Sequence, residues 1–119
     1  MPTKDQHIEQ YKHNKQLLDL PIFNAKDTEH KDWAITISFY IALHLIERKL
    51  AEAVPPKHSP NHYARNYNVR SMLLFRPVAA QYKTLYDESI KARYNCKAFT
   101  VSDVETALAI LHDIEMFVS

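Results

Sequence analysis

Asp32 to Leu50 reads DWAITISFYIALHLIERKL, and this stretch decides the fold. From Trp33 to Ile46 it runs fourteen residues without a formal charge, between Lys31 and Asp32 on one side and Glu47, Arg48 and Lys49 on the other. Wound as a helix, Trp33, Ile37, Tyr40 and Ile41 share one arc while Ile35, Phe39, Ala42 and Ile46 share another. Apolar groups on every side require other helices around it. The run is shorter than the about 20 apolar residues that cross a bilayer, so the stretch is predicted to be the central helix of a bundle and no membrane partner is expected. Trp33, Ile37, Ile41, Leu45, Leu108 and Leu111 are the expected core.

Upstream, Thr3 followed by Gln6 reads as a capping box, and Ile8, Tyr11, Leu17 and Leu18 form the apolar stripe of a first helix that ends before Pro21. In the connector, Ile22 and Phe23 are expected to tuck onto the core, and Asp27 or Thr28 to cap the central helix. Downstream, Pro55 and Pro56 end that helix near Ala53. Ser59 and Pro60 then signal the start of a third helix, predicted to run to about Phe75. A fourth helix follows Pro77 and reaches Tyr94, with Val78, Tyr82, Leu85 and Tyr86 at helical spacing. The last helix opens with two overlapping caps, Thr100 with Asp103 and Ser102 with Glu105, ahead of the stripe Val104, Ala107, Leu108, Leu111, Ile114 and Val118. The expected fold is all-α, an antiparallel bundle of four or five helices forming one domain over 1–119, its core roughly within 28–118.

The composition narrows the function classes. In 119 residues there is no glycine, where average usage of about 7% would give about eight. Phosphate-cradling loops and dinucleotide fingerprints are thereby excluded, and no cofactor is expected. One cysteine, Cys96, permits no internal disulfide, and the first residues lack the apolar run of a signal peptide, so a reducing cytoplasm is the expected location. The net charge of +1 conceals a division: between Val54 and Phe99, eight basic side chains stand against Asp87 and Glu88 alone. That imbalance fits a polyanion, the acidic part of a second copy, or solvated helix faces that do not converge.

Chemistry-bearing residues gather at the head of the third helix, where His58, His62, Arg65 and Asn66 follow one another. On a helix, His62 stands three residues before Arg65 and four before Asn66, so the three share a face near a positive helix end. An imidazole there can move a proton near neutral pH and a guanidinium can stabilise phosphorane charge. A polar helix start bonded to its own connector would carry the same residues. His44 either satisfies a hydrogen bond in the core or, with Tyr40 one turn away, faces His62 and Arg65 and helps bind an anion.

The segment WAITISFYIALHLIE, followed after a proline-containing loop by H-x-x-R-N (His62, Arg65, Asn66), resembles small prokaryotic HEPN-domain proteins, as does KARYNCKAFTVSDVETALAIL. The resemblance extends from Lys31 to Phe117 and implies a helical bundle, frequent homodimerisation and, in many members, metal-independent RNA cleavage by an R-x4–6-H motif. It would make Arg65, His62 and His58 catalytic, and Asn66, Arg70, Tyr40 and His44 RNA- or nucleotide-binding, with a nucleotidyltransferase-like antitoxin as a further partner. The sequence departs from the motif at its centre: the places after Arg65 where the histidine would stand hold Arg70, Ser71 and Met72, and the histidine precedes the arginine instead. The resemblance therefore implies an RNA-associated domain of a toxin or defence system, either a divergent ribonuclease or without cleavage.

Other readings are a dimerisation or adaptor module without chemistry and a metal-dependent phosphohydrolase. No metal is expected, because Pro60 interrupts a helix through His58 and His62, and the His112-Asp113 dipeptide has no recognisable companions. Tyr63, Tyr67, Tyr82, Tyr86 and Tyr94 interleave with the basic residues in the manner of single-stranded RNA binding, although Tyr82 and Tyr86 also sit at core spacing.

Overall fold

Local capping signals set where most of the helices begin. In the computed structural model, which describes residues 2–119, the helices are α1 (Lys4–Leu18), α2 (Lys31–Ala51), α3 (His62–Ser71), α4 (Ala79–Tyr94) and α5 (Val101–Val118). Single 3-10 turns occupy Pro21–Phe23 and Leu73–Phe75, and no strand occurs among the described residues. Two of the three expected capping boxes close: Gln6 N–H donates to Thr3 Oγ1 at 3.2 Å, and Asp103 N–H donates to Thr100 Oγ1 at 3.2 Å, whereas Ser102 lies inside the first turn of α5 and caps nothing. Each closed box satisfies an amide that the first turn of a helix leaves without a partner.

Four local expectations need correction. His30, not Asp27 or Thr28, stands at the cap position of α2, and Thr28 Oγ1 accepts from His30 N–H at 3.0 Å instead. Helix α3 begins two residues after Ser59-Pro60, capped by Asn61 Oδ1, which accepts from Ala64 N–H at 2.8 Å. The Ser59 amide is engaged by Glu47, so the connector stays extended past the serine. α3 also stops at Ser71: an extended Met72 redirects the chain so that Phe75, fully buried, reaches the Phe117 ring 6.1 Å away. Ile22 lies 54% exposed, because only Phe23 of that turn packs on the core.

Side-chain contacts fix the helix directions. Lys4 meets Glu52 and His7 meets His44, so the start of α1 lies beside the end of α2 and the two run antiparallel. Lys49 stands over the Phe117 ring, Phe117 meets Phe75 just before α4, and Gln81 bonds Asp113. The end of α5 therefore shares that end of the bundle with the start of α4. Hence α1 and α4 run one way and α2 and α5 the other, with the short α3 leading into α4. The chain's extents, 44 × 25 × 23 Å, are those of a short rod of helices.

α2 packs against α1, α4 and α5. Phe39, Ile41, Ala42, Ile46 and Leu50 have no exposed surface, and Leu85, Leu111 and Ile114 close over them. The two-sided apolar pattern of α2 thus reflects helices on more than one side. Trp33 departs from the expected core at 56% exposure: in the first turn of α2 the inward places belong to Ala34 and Ile35. Ile37 and Leu108 are half-buried at the margin. With no glycine available, Cys96 itself takes the left-handed conformation after α4, at φ 51°, the place where a glycine commonly ends a helix.

Candidate functional site

α2 carries a carboxylate into the interior. Glu47, three residues after His44 on the same helix, is 1% exposed. Arg65 Nε donates to its Oε1 at 2.7 Å, Ser59 N–H donates to its Oε2 at 3.3 Å, and His58 Nδ1 lies 3.5 Å from the same oxygen. The rest of the Arg65 guanidinium reaches Ser59 O at 3.3 Å and stands 3.3 Å from His62 Nδ1, while Asn68 donates to Ser59 Oγ at 3.1 Å. Buried charge of this kind persists only when paired and hydrogen-bonded, and each partner here is fixed by a different element: α2, the connector and α3.

Histidines extend the cluster toward α1. His7, buried in α1, meets His44 with their Nδ1 atoms 2.9 Å apart, so one nitrogen donates and the other accepts and at most one ring is charged. Burial pushes His44 down to about 4, helped by the neighbouring His7 and Arg65 charges. Burial also lowers His7, against a partial pull from Glu47, and lowers His62, with Arg65 and Arg93 adding to the effect. The His62 ring packs on Phe39 and Tyr86, each 5.7 Å away between centroids. His7 Nε2 is buried without any hydrogen-bond partner. One ligand atom each from His7, Glu47 and His58 falls within 4.8 Å of the others, the donor set that a divalent metal would use.

A second feature lies on another face of α3. A groove of about 400 Å³ runs between α3 and α4, lined among others by Tyr63, Asn66, Tyr67, Arg70, Tyr82 and Lys83. Tyr63 is 82% exposed and Tyr67 54%, and the Arg70 guanidinium stands 5.7 Å from the centre of the Tyr67 ring. Asn66 Oδ1 and the Tyr82 hydroxyl, both lining this groove, are buried without a partner. Burial raises the phenol of Tyr82, which stays protonated and able to donate. Arg70 and Ala79 also line a neighbouring depression with Arg76, and none of the described residues lining either is acidic.

The structure thus divides the residues singled out from sequence. Arg65 and His62 come together, and His58 joins them through Glu47. His44 bonds His7, and the Tyr40 hydroxyl accepts from Arg93 on α4 at 2.7 Å. Asn66 and Arg70 belong to the groove. His112, Asp113 and Cys96 are exposed, and Asp113 bonds Gln81. Glu47 and His7 are the additions. Glu47, read above as the charged end of the central helix, stands one turn from His44, a spacing that could have marked it. His7 carries no comparable sign, since its partner is 37 residues away. No family model, curated protein or solved structure matches this chain.

Proposed function

We propose that the chain is an HEPN-like, RNA-associated domain that holds single-stranded RNA in the groove between α3 and α4. The observation that carries this reading is the groove itself, lined by exposed tyrosines and basic side chains with no acidic residue among the described ones. Tyr63 and Tyr67 offer exposed rings one helical turn apart, and Arg70 and Arg76 supply positive charge. Base stacking on an aromatic side chain contributes about 1–3 kcal/mol per base, and basic groups add an attraction that salt screens. Support for the HEPN-like part comes from the all-helical order, with the H-x-x-R-N run opening a short helix after the long apolar one.

Binding fits the geometry better than cleavage. Arg65 is only 7% exposed and its guanidinium is committed to Glu47 and Ser59, so it could reach a phosphate only by leaving a buried carboxylate unpaired. Incubating the protein with labelled single-stranded RNA and chelator at low salt tests the reading. Retarded but intact RNA is the expected result, and no retardation contradicts it. Cleavage that survives chelator and is lost in His62→Ala would favour the ribonuclease version.

Self-pairing is a second reading, favoured by apolar side chains left in water: Trp33 at 56%, Leu73 at 78% and Met116 at 64% exposure.

A further inference from the structure

The histidines and carboxylate at the meeting of α1, α2 and the α2–α3 connector have no part in the RNA groove. Glu47 uses Oε1 for Arg65, and its Oε2 faces His58 Nδ1 at 3.5 Å. That separation is close to the edge of a tetrahedron with metal–ligand bonds of about 2.0–2.1 Å, an edge of about 3.3 Å. The third group, His7, has one nitrogen on His44 while the other, Nε2, is buried with no partner in a residue that is 4% exposed. A buried imidazole nitrogen without a partner is costly unless something occupies it. His7, Glu47 and His58 also line one cavity of about 250 Å³, along with Lys4, Ala51 and Pro56, which gives an ion a way in.

We propose that His7, Glu47 and His58 bind one divalent transition-metal ion of the zinc type, with a water as the fourth ligand. Two imidazoles and a carboxylate suit such an ion, and the open fourth position is the pattern of sites where a metal holds water. The outer contacts match. With the metal on His7 Nε2, the His7 Nδ1–H is the donor to His44 Nδ1, 2.9 Å away, while Arg65 orients the Glu47 carboxylate. The Arg65 charge opposes a cation, so the site binds more weakly than one whose carboxylate lacks that partner. Its ligand atoms all lie within 4.8 Å of one another, so binding draws them together to the about 3.3 Å edge of a tetrahedral site.

The test uses the untagged full chain after chelator treatment and gel filtration, titrated with Co²⁺ and followed by visible absorption. Zn²⁺ displacement and the thermal midpoint are read in parallel. One Co²⁺ per chain with tetrahedral-type bands, reversed by Zn²⁺, is expected. His58→Ala and His7→Ala should each weaken binding at least tenfold and abolish the Zn²⁺-induced rise in midpoint, whereas the exposed His112→Ala should leave both unchanged. Circular dichroism verifies folding, and half-buried His58 keeps the test decisive if His7→Ala unfolds. No stoichiometric binding by the wild type, or binding by a folded His58→Ala equal to the wild type, overturns the site.

Discussion

Arg65 and Glu47 meet inside the protein, Nε to Oε1 at 2.7 Å, with 8% and 1% of their side chains exposed. The pair joins α3 to the central helix. Removing one partner leaves the other charged and buried, which costs about 3–5 kcal/mol, whereas replacing both by apolar side chains of similar size is close to neutral. Arg65→Ala and Glu47→Ala should therefore each lower stability by about that amount in urea unfolding, and Glu47→Leu with Arg65→Met should recover most of it. A loss under about 1 kcal/mol in the single variants would contradict a structural role for the pair.

Stability should fall as pH is lowered from about 6.5 toward 4, with chelator present. His44, at about 4, and His62, also lowered, bind protons in the unfolded chain before they do in the folded one. The unfolded state then takes up more protons in that window, so their contribution is present above the ordinary histidine value and is lost as pH falls toward the folded values. Urea midpoints between pH 7.5 and 4.5 measure it. A flat profile down to pH 5 would contradict the burial of these rings.

Helix α5 depends on its cap. Thr100→Ala removes the hydroxyl that accepts from Asp103 N–H and should cost about 1 kcal/mol. Thermal unfolding gives the number, and an unchanged midpoint would mean that the box does not hold the helix start.

Light scattering tests pairing of two copies. A dimer mass at micromolar concentration is expected from the apolar side chains left in water, Leu73 and Met116 toward one end of the bundle and Trp33 toward the other. A monomer mass at that concentration contradicts it.

What the sequence reveals follows the range of the interactions. The capping boxes at Thr3 and Thr100 are readable because donor and acceptor lie three residues apart. The central position of α2 is readable from its two-sided pattern. Trp33 escapes because periodicity places it on an apolar arc without telling where the neighbouring helices stop. The end of α3 escapes because Phe75 is drawn to Phe117, a contact no local rule contains. Within the site, His62 beside Arg65 is a matter of helical spacing. Glu47 is hidden by its charge, since a residue type that is rarely buried reads as a helix end unless its arginine partner is known. The groove needs α3 and α4 side by side before Tyr67 and Lys83 line one surface.

The most direct measurement is the fluorescence anisotropy of a labelled single-stranded RNA titrated at low salt with the wild type and with Tyr63→Ala/Tyr67→Ala. Loss of two stacking platforms at about 1–3 kcal/mol each should weaken binding by at least about tenfold while the fold is retained. Arg70→Ala should also flatten the salt dependence of the remaining affinity. Wild type that does not bind, or a folded double variant that binds as tightly as the wild type, would contradict RNA recognition in this groove.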